Sequence, residues 1–197
     1  MTPKQRQRLE KKIADVKRVL AAEKRKFGGY DDSRGLRYLP TRYYIQLADY
    51  PGGLTYLRWF AKTFPDDIGF PDFLFERAIL LFKSGKLAEA KVKVWQTFCA
   101  NTYVLDNFFG QPIHALPKYE WSTMAQIGFT AHFPYTHQQA DLLDMSPWLA
   151  EFIVSDTFSA RKARYLTLHQ QLLVEEDDEI RGYLHQEVEV LESHTQF

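Results

Sequence analysis

Six histidines, at positions 114, 132, 137, 169, 185 and 194, are the first residues to test for chemistry, because imidazole serves both as metal ligand and as proton shuttle. His132 and His137 lie five apart around Pro134 without an acid between them, and no His-Glu-x-x-His pattern exists. His185 and Glu187 are two apart, which on a helix points them to different faces. His169 comes near His185 if the last two helices run antiparallel. These spacings predict no metal. A Gly-x-Ser-x-Gly elbow and a Gly-x-x-x-x-Gly-Lys-Ser/Thr loop are both absent, and Gly28-Gly29 follows a helical pattern rather than a strand, so no cofactor is expected either. Cys99, beside Phe98 in an apolar helical pattern, reads as a small core residue whose thiol is pushed up by burial. The acids from Glu175 to Glu179 lack the spaced ligands and the glycine of a calcium loop. What remains for an enzyme is a site of unknown class in the Pro-interrupted segment 114–137, built on His132, Tyr135 and His137.

Charge offers a second kind of chemistry. Lys+Arg and Asp+Glu both number 25, yet the balance is uneven along the chain. Ten basic and three acidic residues between Lys4 and Lys26 give a local charge of +7, and eight acids against Arg181 alone between Glu175 and Glu192 give −7. Such a field steers a partner, or pairs the two ends of one or two molecules. Lys4, Arg8, Lys11, Lys12 and Arg18 are the residues that would contact phosphates in a nucleic-acid-associated factor. Against that reading, the whole chain is neutral, whereas nucleic-acid-binding domains are usually basic.

The elements that must position these residues are helices. Hydrophobic residues make up 45% and charged residues 25% of the 197, the balance of a chain that folds around a core. With one cysteine no intramolecular disulfide forms, no apolar run reaches the roughly 18 residues of a membrane span, and the charged N-terminus lacks a signal peptide's apolar stretch. A cytoplasmic protein without membrane contact is expected. Leu9, Ile13, Val16, Leu20 and Phe27 lie on one stripe of a helix over 3–27, followed by a glycine-rich loop at 28–35. A short helix after Pro40-Thr41 is expected to end at Pro51-Gly52-Gly53, with a second at 54–63. Leu74, Ala78 and Leu81 mark the next, then a turn at Ser84-Gly85-Lys86, then a helix over 87–100 carrying Leu87, Ala90, Val94 and Phe98. Further helices are predicted at 119–131, from Thr136 to Asp144, after Ser146-Pro147, from Asp156 or Thr157 to Val174, and at 176–192. No apolar/polar alternation marks a strand. The chain reads as one all-α domain, 1–197: a basic N-terminal helix (1–27), helical hairpins (40–102) and C-terminal helices (119–192).

Within it, residues 74–102 resemble a tetratricopeptide repeat. Leu74-x-x-Arg77-Ala78-x-x-Leu81 fits the first helix of that unit, Gly85 and Leu87 the turn, and Ala90-x-x-x-Val94 the second helix. Arg77 departs from the pattern, standing where it prefers an apolar residue, and Thr102 stands where it prefers proline. A degenerate preceding unit starts at Tyr44-x-x-Leu47-Ala48, so the likeness spans about 41–102. It implies an α-solenoid fragment and a non-enzymatic protein–protein interaction or scaffold module. The groove face carried over is Phe75, Ile79, Phe82 and Lys83, and Tyr43, Tyr44 and Trp59 extend the aromatic surface. An exposed apolar row there would take an unidentified protein or peptide. The ~95 residues that follow need a surface to pack on, so the chain's own later helices are expected to cover it. The stripe Leu9–Leu20 also invites a homodimer through the first helix.

Overall fold

In the computed structural model, which describes residues 1–30, 32, 34–193, 196 and 197, the chain is all-α, with no strand among the described residues. The predicted loop at 28–35 falls partly, and His194 wholly, outside the described residues.

Helix α1 (Pro3–Phe27) opens on a reciprocal cap. The Thr2 hydroxyl accepts from the Gln5 amide while the Gln5 side chain accepts from the Thr2 amide, and Gly28, at φ 74°, closes the helix. Its stripe Ile13, Val16 and Leu20 is buried, and α2 (Leu39–Leu47) is the helix it packs on most. Helix α2 ends at Ala48, which takes the left-handed conformation at φ 53°. Pro51-Gly52-Gly53, expected to end this helix, instead forms the first turn of α3 (Tyr50–Thr63). Proline lacks the N–H that a first turn leaves unpaired anyway, and Asp49 caps that turn by accepting from the Gly52 amide at 3.0 Å. Gly53 has a packing reason, since a Cβ there would fall 2.6 Å from Leu80 Cδ2. Its absence lets α3 lie close against the following helix.

Helices α4 (Pro71–Lys83) and α5 (Leu87–Ala100) pack along each other, joined at Ser84-Gly85-Lys86 with Gly85 at φ 74°. Helix α4 is the centre of the molecule: Phe73, Leu74, Phe75, Ala78, Ile79 and Leu80 are each at most 1% exposed. A single hydrophobic cluster extends from Ile13 to Val188 around it. Trp95 of α5 is fully buried, 5.4 Å from the Phe98 ring.

Beyond the short α6 (Val104–Phe108) the structure departs from the sequence expectation. The helix predicted at 119–131 is replaced by two 3-10 turns, Thr123–Ala125 and Ile127–His132, and the one predicted from Thr136 to Asp144 by successive turns. Side chains from elsewhere hold the backbone in these shapes. The buried Asn101 amide donates to the carbonyls of Met124 and Gln126 at 2.7 and 3.0 Å, and the Ser146 hydroxyl bonds the carbonyls of His137 and Leu142. The chain then resumes as α7 (Met145–Ile153), α8 (Asp156–Val174) and α9 (Asp178–Glu192), capped by Asp144, Ser155 and Asp177. Each cap lies one or two residues from the predicted start. The Trp95 indole donates to the Leu191 carbonyl at 2.7 Å, tying α5 to α9. No described helix is long and apolar enough to cross a membrane.

Candidate functional site

The residues assigned to an interaction groove are placed unevenly. Phe75 and Ile79 are fully buried, and the Phe75 ring meets Phe108, Phe133 and Tyr135 at centroid distances of 5.1, 5.2 and 5.6 Å. Phe82 is half-buried 4.8 Å from Trp148 of α7, and Lys83 is paired with Asp144. The chain's own later segments therefore cover this face of α4. Tyr44 is buried, its hydroxyl accepting from Lys17 at 2.8 Å. Tyr43 is half-buried below Lys12, whose ammonium lies 5.2 Å from the ring centre, and Trp59 is half-buried against Tyr30, Tyr56 and Phe64. No open aromatic groove joins these seven residues.

Nor does the Pro-interrupted segment gather a catalytic set. His114 and His132 are exposed. The His137 ring lies at 3.1 Å from the Phe108 carbonyl and beside the Phe109 ring. Tyr135 is buried, and its hydroxyl donates to Glu76 at 2.7 Å. Glu76 is a fully buried carboxyl satisfied from three sides, by Tyr135, by Thr41 and by Arg42 Nε at 2.9 Å. Burial pushes its pKa up, and the Arg42 guanidinium opposes that shift without cancelling it. A network with every partner in place joins α2, α4 and the 133–135 segment, and offers no free group to a substrate. His169 and His185 do approach, with Tyr119 against both rings at 6.5 and 5.9 Å, but among the described residues no third ligand joins them. Among the described residues no group of three or more His, Cys, Asp or Glu could hold a metal ion. Cys99 is buried, its thiol pushed up by loss of solvation.

The charged face of α1 has a defined geometry. Lys4, Arg8, Lys11, Lys12 and Arg18 are all exposed on the helix whose apolar stripe is buried, and Arg25 continues the row. Lys4, Arg8, Lys11, Arg18 and Arg25 follow one another at steps of 4, 3, 7 and 7, so they form one line opposite that stripe. At 1.5 Å per residue the line is about 32 Å long. Asp15 is the acid within it, bound to Arg18 at 2.8 Å. The stripe that would pair two copies is already used inside the molecule. Helix α9, which carries the acidic end, packs chiefly on α8 rather than on α1. Both charged surfaces thus face outward on separate parts of the fold.

One pair escaped the sequence reading altogether. Arg77 of α4 and Lys93 of α5, 16 residues apart, line one cavity together. The signal was present in Arg77, a cation at a position where the helical pattern prefers an apolar side chain. Comparison with protein-family models, curated proteins and solved structures finds no match.

Proposed function

We propose that the protein is a non-enzymatic interaction module that docks an acidic protein partner on the outer face of α1. In this reading α4 and α5 are a tetratricopeptide-like hairpin that serves as interior scaffold, its groove occupied by the chain itself. The observation that carries the proposal is the line of five cations, interrupted by Asp15, opposite a buried apolar stripe. A helix fixed by its inner face presents its charges with little further ordering cost, which is what charge-guided docking requires. Nucleic acid fits this face less well. No exposed ring lies within the line to stack on a base.

Because this face works through charge, a protein partner is released by salt just as nucleic acid is, and salt alone does not separate the two readings. Nuclease does. Captures from lysate with the parent protein and with a Lys4→Glu, Arg8→Glu, Lys11→Glu, Arg18→Glu variant, each with and without nuclease, are expected to differ in a discrete set of acidic proteins. Those proteins survive nuclease and are absent with the variant, at unchanged helical content. Recovery of nucleic acid as the α1-dependent species, or identical captures by both proteins, overturns the proposal.

A further inference from the structure

Where α4 meets α5, two cations face one cavity. Arg77 and Lys93 line a space of about 480 Å³ that is bordered by the 65–69 loop and by α9. Arg77 has no hydrogen-bond or ion-pair partner among the described residues. Its Nε is buried without an acceptor, and its guanidinium lies 5.8 Å from the centre of the Phe73 ring. Asp67, whose field reaches Arg77, is already held by Arg37 at 2.7 Å and by the Tyr38 hydroxyl. Lys93 donates only to the amide oxygen of Gln96, at 2.5 Å. Burial and the neighbouring guanidinium push the lysine down to about 8. Two half-buried like charges with no direct ion-pair partner are costly, and the acids that line the same cavity, Asp66, Asp67, Glu189 and Glu192, make no bond to either cation. A ligand oxyanion bonded to both cations would supply the direct partner that these carboxylates do not.

The remainder of the cavity defines the other end of that ligand. Along α5 the wall runs Lys93, Gln96, Cys99 and Ala100, one face of the helix. Glu192 of α9 lines the same cavity as Cys99, which stands six residues, or about 9 Å along the α5 axis, from Lys93. Glu189 stands on the same stretch of α9, and the Glu192 carboxyl accepts from the Tyr165 hydroxyl at 3.0 Å. Ile68 and the exposed Trp121 supply apolar lining, and Asp66 adds a further carboxylate on the loop.

We propose that this cavity binds a small dipolar molecule, with an oxyanion held by Arg77 and Lys93, an ammonium turned to Glu189 and Glu192, and an apolar body against Ile68 and Trp121. A guanidinium takes a carboxylate through two parallel bonds, and a flexible ammonium beside it adds a third. Because the cations stand on α4 and α5 and the acids on α9, the separation of the two ends is read from the ligand chain length that binds best. The site lies away from the outer line of α1, so it stands or falls independently of docking there.

The test is a titration with ω-amino acids from four to eight carbons, followed by calorimetry and by tryptophan emission. Hexanoate and hexylamine serve as the one-ended controls. Saturable binding is expected that peaks at one chain length, weakens at least tenfold for either control, and weakens at least tenfold in Arg77→Met and in Lys93→Met. With no ligand present, Arg77→Met is expected to melt above the parent, since it removes a guanidinium whose Nε is buried without an acceptor. No saturable binding by any chain length overturns the proposal, as does equal binding of the controls. A lowered melting temperature for Arg77→Met also overturns it, by assigning that guanidinium to packing.

Discussion

Replacing Phe75 by alanine is expected to lower stability by about 3–5 kcal/mol, the range for truncating a fully buried ring. Phe75 is 0% exposed, and the rings of Phe108, Phe133 and Tyr135 all lie within 6 Å of it. Those three rings belong to α6 and to the irregular segment after it, so the cavity left behind borders backbone that has little helix of its own to hold it. Urea unfolding measures the effect through its midpoint. Phe82→Ala is the internal comparison, since that ring is half-buried and, among the described residues, meets Trp148 alone of the aromatic rings. Its cost is expected to be the smaller of the two. Equal and small costs would mean that the α4 face is open in solution and would restore the groove as a docking surface.

Arg42→Met should cost about 2–3 kcal/mol at pH 8, because it leaves the buried Glu76 uncompensated while the Arg42 side chain, 34% exposed, is already partly hydrated. Arg42 bonds Glu76 through Nε at 2.9 Å and Asp72 through a terminal nitrogen at 2.8 Å. The sign of the pH dependence follows from Glu76. Burial first, opposed by Arg42, places its folded-state pKa above the ordinary 4.5. A raised carboxyl means that the folded state binds the proton more tightly than the unfolded one. Its contribution is therefore fully present below pH 4.5 and is lost as pH rises through the folded value. Without Arg42 that folded value rises further, so the penalty of the substitution grows with pH and is smallest near pH 4.5. Unfolding midpoints at pH 4.5, 6 and 8 for the parent, Arg42→Met and Arg42→Met/Glu76→Gln check this. The double variant is expected to lose the extra slope, and a penalty independent of pH would place the effect elsewhere than at Glu76.

What the sequence disclosed depended on whether a local pattern carried the information. The stripe Ile13, Val16 and Leu20 and the turn at Gly85 were legible because period and turn chemistry are local. Pro51-Gly52-Gly53 was misread because proline and glycine punctuate both ends of helices, and only Asp49, the cap before them, distinguishes a beginning from an end. The 119–144 region was misread because a side chain far back in the chain, Asn101, fixes its backbone. The line of cations on α1 follows from counting along a helix, but its outward aim needed the packing of the opposite stripe. Arg77 and Lys93 meet only once α4 and α5 lie side by side, so no spacing rule along the chain relates them.

That same dependence on distant side chains has a dynamic consequence. Helices keep their amide hydrogens in ladders that break cooperatively, whereas residues 109–144 are held by scattered bonds to Asn101, Ser146 and the Phe108 carbonyl. Such a stretch opens locally at a lower free energy than the whole molecule unfolds. Its amides are expected to exchange with solvent ahead of those in α4 and α5, in a transition that leaves the remaining helices standing. Phe133 and Tyr135 leave with it. Two of the three rings around Phe75 are then withdrawn by the lifting of one flap rather than by melting of the fold, and hydrogen exchange would record the two events as separate populations.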